Sequence, residues 1–254
     1  MIFYFSATGN SKYIAEKIAN SLNAKIINIE NCIKDSNYEF DLKDEQYLGI
    51  ITPTYYWGLP KIVEEFMGKV YFKNSNNIYV FHIATYGTTS GASSKYMEKL
   101  LNKKGIILNG MYGIKMVDTW TPIFDVSDKE KNTKIEATAN EQINKILQYI
   151  DRKENIKFNN NSLPKVMADI YHKTSYSNGR NTSKFKVSNE CIGCGLCARS
   201  CPSKAIEIKN GKPIWVKEKC NLCLRCLHRC PKFAIEYGNN TTKHGQYTNP
   251  NVKI

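Results

Sequence analysis

Over roughly the first 150 residues the apolar positions fall in short runs set apart by longer amphipathic stretches. The runs "MIFYF", "AKIINI", "QYLGIIT" and "NIYVFHIAT" are continuous rather than alternating, the pattern of strands buried on both faces of a parallel sheet. Between them, residues 11–22 place Ile14, Ile18 and Leu22 at i, i+4 and i+8, predicting a helix with one apolar stripe. Further helices are expected over 61–70, 93–102 and 129–149, and a fifth strand within 106–117. Strand and helix alternating in this way predict an α/β fold, a doubly wound parallel sheet whose ligands bind at the strands' C-terminal ends.

The alternation stops near residue 152. Residues 152–163 turn to Lys and Asn, Pro164 follows, and 153–185 read as a linker, with a short helix possible over 166–172 and loop over "TSYSNGRNTS". The expected organisation is therefore a first domain over 1–152, a second over 186–237, and a polar, frayed tail over 238–254.

Cysteine usage divides the chain the same way. Cys32 stands alone, and a lone cysteine near a strand end is ordinarily inert, while the other eight lie between 191 and 230. "CIGCGLCARSCPSKAIEI" recurs as "CNLCLRCLHRCPKFAIEY" with every cysteine displaced by 29 residues. This is C-x₂-C-x₂-C-x₃-C-P written twice, the run that binds [4Fe–4S] clusters in bacterial ferredoxins. A zinc site needs four ligands in two separated pairs and leaves the third closely spaced cysteine surplus. A domain of about 50 residues also lacks the core to fold unaided, so clusters would form its interior. Residues 186–237 thus resemble the two-cluster ferredoxins, a small α+β domain. The resemblance implies one cluster on Cys191, Cys194, Cys197 and Cys230, and the other on Cys220, Cys223, Cys226 and Cys201. Arg199, Arg225 and Arg229 lie beside these ligands and either raise the cluster potentials or are surface charge, the latter being the expectation; His228 is expected to be exposed.

In the first domain the strand "MIFYF" breaks into Ser6, Ala7, Thr8, Gly9, Asn10 and Ser11 before the helix. The loop has no Lys or Arg, yet backbone amides at a helix start and neutral hydroxyls can hold an anion, and Gly9 permits its close approach. It is neither a Walker loop, which needs G-K-[ST], nor G-x-G-x-x-G. The stretch resembles the phosphate loop of flavodoxins, whose FMN has one terminal phosphate. "TPTYYWGLP" and "ATYGTTSGA" follow the third and fourth strands, where such a fold binds its ligand. A flavin ring takes flat aromatic cover and backbone amides at its polar edge. The resemblance carries these roles to Thr54, Tyr55, Tyr56, Trp57 and Gly58 and to Thr85, Tyr86 and Gly87, without singling out which aromatic stacks. "VDTWTP", 117–122, is a further candidate wall. His82, inside a strand, is expected in the core, and Asp118 lies near the pocket edge without support for a role.

Together the halves resemble the flavodoxin–ferredoxin fusion proteins of anaerobic bacteria and archaea. That resemblance implies FMN and two [4Fe–4S] clusters, and an electron-transfer role with an anaerobic setting. The rival is an FMN-dependent reductase of a quinone, nitro or azo compound fed through its own clusters. A redox sensor is the third reading, and no nucleic-acid module supports it.

Charge refines the choice of partner. The formal net charge is +13, and Arg supplies only five of 36 basic residues; the lysines are scattered among acids and Asn, as in "KEKNTK" and "DRKENIK", which excludes a clustered nucleic-acid surface. FMN phosphate and two cubanes would leave about +7. An acidic redox partner, of ferredoxin or flavodoxin type, is the expectation. No run approaches the roughly 18 to 20 apolar residues of a membrane helix, and no leader pattern opens the sequence, so a cytoplasmic location is expected.

Overall fold

The computed structural model describes residues 1–158 and 170–254. Five strands form a wholly parallel sheet in the order β2-β1-β4-β6-β7: β1 (Ile2–Tyr4), β2 (Ile26–Asn28), β4 (Tyr47–Pro53), β6 (Tyr79–Tyr86) and β7 (Gly110–Lys115). Helices α1 (Asn10–Ser21), α3 (Lys61–Lys69) and α4 (Ser93–Asn102) lie in the crossovers, and α5 (Lys129–Asp151) follows the last strand. Helix α2 (Ile29–Lys34) and a two-stranded parallel pair, β3 (Glu39–Asp41) with β5 (Tyr71–Lys73), are elements that the apolar periodicity did not predict; each is too short to display a period.

The continuous apolar runs are explained by two cores, one on each face of the sheet. Phe3, Leu48, Ile50 and Val80 pack against Val63, Phe66 and Met67 of α3 and Met97 and Leu101 of α4. On the other face Ile2, Ile51, Phe81 and Ile83 meet Ile14 and Ile18 of α1 and Ile143, Ile146 and Ile150 of α5. His82 is fully buried in β6, bonded to Thr52 Oγ1 and Ser94 Oγ at 2.9 Å each, and burial holds its pKa down at about 3. Cys32 is buried in the first core, where desolvation raises its pKa.

The second lobe has two antiparallel pairs: β8 (Phe185–Val187) with β11 (Ile235–Tyr237), and the hairpin β9 (Ile206–Lys209) with β10 (Lys212–Trp215). The stretch expected as loop is instead helical over His172–Tyr176 and Ser177–Gly179. Its residues are held by tertiary contacts that composition does not display: Tyr176 Oη donates to Asn221 O at 3.0 Å, and His172 and Tyr176 are both buried. Of the short helix expected over 166–172, residues 166–169 lie outside the described residues.

The tail is not frayed. Thr241, Tyr247 and Asn249 are buried, and a one-turn helix forms over Thr241–His244. Its polar groups meet interior partners rather than water. Gln246 Nε2 donates to Leu227 O at 2.6 Å and Cys230 O at 2.9 Å, Tyr247 Oη to Glu136 Oε1 at 2.9 Å, and Asn249 N to Thr8 O at 2.8 Å. Among the described residues no helix is long and apolar enough to cross a membrane.

Candidate functional site

At the C-terminal end of β1 the chain turns through Gly9, at φ +101°, into α1. A Cβ there would sit 2.9 Å from the Cβ of Asn249 and 3.0 Å from Val252, so both the dihedral and the tail require glycine. Ser6, Thr8, Asn10 and Ser11 are all buried. Ser6 Oγ accepts from Gly9 N at 3.1 Å, and Ser11 Oγ bonds Thr85 Oγ1 at 2.9 Å, which ties this loop to the end of β6. The amides of Ala7 and Thr8 have no acceptor among the described residues. Buried donors without partners are costly unless a ligand accepts from them.

After β4, Tyr55 and Gly58 exchange both backbone hydrogen bonds at 2.9 Å, closing a two-residue turn with Tyr56 at φ +48° and Trp57 at φ +64°. Two bulky residues in the left-handed region is a strained arrangement that needs external support. His172 supplies some, with Nδ1 3.1 Å from Tyr55 O and 3.0 Å from Tyr56 O. Gly91 supplies more: its missing Cβ lets Trp57 O approach to accept from Ala92 N at 2.7 Å. The three aromatics face different neighbours. Tyr55 packs edge-on to Phe5, Tyr56 stacks on Tyr176, and Trp57 lies 4.2 Å from Tyr171 by ring centroid.

These loops enclose a cavity of about 320 Å³ that holds Tyr55, Tyr56, Trp57, Thr88, Asp118 and Trp120 in its wall. A second, polar chamber of about 60 Å³ lies over Ser6, Ala7, Thr8, Asn10, Ser11 and Thr85, with Tyr86 in its wall. Thr54, Tyr55, Gly87, Asp118 and Thr119 line both. An aromatic chamber joined to one with unpaired amide donors fits a flat ring carrying a phosphate. Gly87 is small for a reason: a Cβ would fall 2.1 Å from Asp118 Oδ2. Asp118 accepts from Trp120 N at 3.1 Å and Thr88 Oγ1 at 3.2 Å, but burial outweighs both and raises its pKa.

The eight clustered cysteines surround two separate cavities. Cys191, Cys194, Cys197 and Cys230 line one; Cys201, Cys220, Cys223 and Cys226 line the other. Each set of four therefore surrounds an open space rather than a single point. The duplication extends to sulfur: Ala205 N donates to Cys201 Sγ at 3.4 Å and Ala234 N to Cys230 Sγ at 3.3 Å, 29 residues apart. Burial pushes the thiols of Cys220 and Cys223 up to about 11 and about 12, so a bound cation is what would hold them as thiolates at neutral pH.

The second cysteine loop is joined to the flavodoxin-like half. Leu222, Cys223 and Leu224 form one wall of the aromatic cavity. Asn221 Oδ1 accepts from Ile62 N at 3.0 Å and caps α3, whose preceding residue, Pro60, offers no side-chain cap. His228 is buried, not exposed as expected: Nε2 lies 2.9 Å from Thr119 O, Tyr247 N donates to Nδ1 at 3.2 Å, and its pKa falls to about 4. Arg225 is likewise buried rather than surface charge, donating to Ser6 O, Ala7 O and Glu30. Arg199 is exposed and donates to Cys194 O at 2.9 Å, and Arg229 is half-buried. His172, Tyr176 and Asn249 support the site without belonging to any motif, and Arg225 and His228 occupy positions inside the cysteine repeat whose identity the repeat does not set.

A family model described as the flavodoxin domain matches residues 1–142, and two described as 4Fe–4S dicluster domains match residues 190–235 and 153–205. No curated protein matches the chain. Among solved structures, the chain is similar to a Fusobacterium nucleatum flavodoxin bound to flavin mononucleotide (15% identity, 60% of this chain and 96% of that one, TM-score 0.39). It is also similar to a two-electron reduced Megasphaera elsdenii flavodoxin (18%, 55% and 97%, TM-score 0.35). A third is an FMN-dependent NADH-azoreductase from Bacillus anthracis (11%, 59% and 97%, TM-score 0.40). The cofactors are FMN and two [4Fe–4S] clusters, which makes this an iron–sulfur flavoprotein of electron transfer. With more than half its length matched by the flavodoxin domain and the dicluster domain behind it, the chain belongs to the flavodoxin family as a flavodoxin–ferredoxin fusion.

Proposed function

We propose that the chain relays electrons between an acidic redox protein and FMN, with the first cysteine loop as the outer port and the second as the contact with the flavin. The observation that carries this reading is the shared wall: Leu222, Cys223 and Leu224 line the same cavity as Tyr55, Tyr56 and Trp57. Each cluster supplies one-electron chemistry and FMN one- or two-electron chemistry. In this reading Cys191, Cys194, Cys197 and Cys230 hold the outer cluster, and Cys220, Cys223, Cys226 and Cys201 the inner one. Ser6, Ala7, Thr8, Gly9, Asn10 and Ser11 cradle the phosphate. Thr54, Tyr55, Tyr56, Trp57 and Gly58 cover the ring with Thr85, Tyr86 and Gly87, and the three chain segments exclude water from it.

Exposure supports the port. Ile192 is 61% exposed and Cys194 is exposed, whereas Cys220 and Cys226 are buried. The charge of +13 favours an acidic partner. Stopped-flow reduction of the reconstituted protein by a reduced acidic ferredoxin, followed at the flavin band, tests the proposal. The rate should fall steeply as ionic strength rises. A rate that stays flat from low to high salt rules out the acidic partner, and a flavin that never bleaches rules out the relay.

A second reading, reduction of a small organic substrate in the same cavity, is favoured by Asp118. Its carboxyl lies at the junction of the two chambers with a pKa raised by burial, as suits a proton donor. Steady turnover of a quinone, nitro or azo compound that Asp118→Asn abolishes would make this the function.

A further inference from the structure

The loop over residues 6–11 contains no cation, but one reaches it from the other lobe. Arg225 lies between Cys223 and Cys226, is 8% exposed, and directs its guanidinium at the back of this loop. Nη2 donates to Ser6 O at 2.6 Å and Nε to Ala7 O at 3.2 Å. Nη1 donates to Glu30 Oε2 at 2.6 Å and Ser200 O at 3.0 Å, and Nη2 also meets Glu30 Oε1. Every donor face is used. Desolvation opposes the charge, but the Glu30 carboxylate outweighs it and keeps the guanidinium protonated.

The backbone converts this contact into an effect on the opposite side. All peptide bonds among the described residues are trans, and in a trans peptide the carbonyl and the amide of one unit point in opposite directions. Ser6 O shares its peptide unit with Ala7 N, and Ala7 O with Thr8 N. Drawing both carbonyls onto Arg225 therefore turns both amides away from it, and both are among the loop amides that lack an acceptor among the described residues. Ala7 and Thr8 line the polar chamber.

We infer that Arg225 is a positioning residue for the phosphate: the ferredoxin-like lobe orients the amides with which the flavodoxin-like lobe binds its cofactor. This rests on the reading of residues 6–11 as the phosphate cradle. The Glu30 pair leaves little net charge to attract an anion from a distance, so the effect runs through amide orientation. It must then be confined to ligands that carry the phosphate.

Riboflavin, which lacks the phosphate, gives the test. Protein with both clusters in place, verified by absorbance, is titrated with FMN and separately with riboflavin, and binding is followed by flavin fluorescence. The variants are Arg225→Lys and the double variant Arg225→Met with Glu30→Met, which removes both buried charges and strands neither. Wild type should bind FMN far more tightly than riboflavin. Both variants should lose about tenfold to a hundredfold in FMN affinity, while riboflavin affinity holds within about twofold. Equal loss for both ligands, or no loss for either, overturns the role of Arg225. Equal affinity of the wild type for FMN and riboflavin overturns the cradle reading itself, a failure that the variants play no part in.

Discussion

The two cysteine loops are one sequence written twice, yet they meet different surroundings and solve the same backbone problem differently. In the first loop Gly193 and Gly195 take the left-handed turns, at φ +68° and +72°. In the second the same positions are Leu222 and Leu224, at φ +51° and +52°. A left-handed leucine costs about 1 kcal/mol or more. Burying its side chain contributes about 1.5–3 kcal/mol, which exceeds the strain. Leu222 and Leu224 are 3% and 2% exposed and wall the aromatic cavity, whereas in the corresponding stretch of the first loop Ile192 and Cys194 are exposed. Strain is accepted where a buried leucine lines the aromatic cavity, and glycine is kept at 193, where the Gly211 carbonyl leaves no room for a Cβ.

Breaking the inner loop should have the largest effect. Cys223→Ala is expected to lower the anaerobic reductive titration from about four electrons to about three, and to stop a protein donor from bleaching the flavin band. A flavin that still reduces at the wild-type rate would show that the inner loop is no conduit. Leu224→Ala should cost about 3 kcal/mol in urea unfolding, because lost burial and the resulting gap exceed a strain that alanine does not relieve.

Acid offers a way to unsettle the flavodoxin-like half while leaving both loops unmutated. His82 has a folded pKa of about 3 against an ordinary 6.5, so between these values the unfolded chain binds more protons. Stability is therefore full above pH 6.5 and falls as pH drops toward 3. From pH 6.5 to about pH 5 the loss from this group is about 2 kcal/mol, and His82→Gln should flatten that part of the urea-unfolding profile.

The smallest effects sharpen the loop comparison. A Cβ at Gly193 would lie 2.7 Å from the backbone oxygen of Gly211, while one at Gly195 meets only the movable Arg199 Nη1 at 2.8 Å. Gly195→Ala should cost about 1 kcal/mol and Gly193→Ala measurably more. Equal values would mean that the hairpin carrying Gly211 yields.

The parts legible in the sequence were those with a local period. Continuous apolar runs marked β4 and β6 because both faces of a parallel sheet are covered. Cysteine spacing marked the second lobe, since closely spaced thiols on one loop are a chemical requirement and not a packing outcome. What stayed hidden was polar and distant. Arg225, His228 and Asn249 have the letters of a solvated surface, and only carbonyls more than 100 residues away show otherwise. The leucines at 222 and 224 were hidden for another reason: leucine ordinarily favours right-handed helix, and the repeat of the first loop holds them against it.

The contacts of the phosphate loop also bear on the order of assembly. Ser6 and Ala7 are met by Arg225, 219 and 218 positions later, and Asn10 by Asn249, 239 positions later. Loop closure over such separations is slow, and during synthesis the later partner does not yet exist. The N-terminal lobe can therefore fold on the ribosome with its cofactor loop unfinished. Its final form waits until residue 249 has been translated, so flavin loading is expected to follow synthesis of that segment rather than of the N-terminal lobe alone.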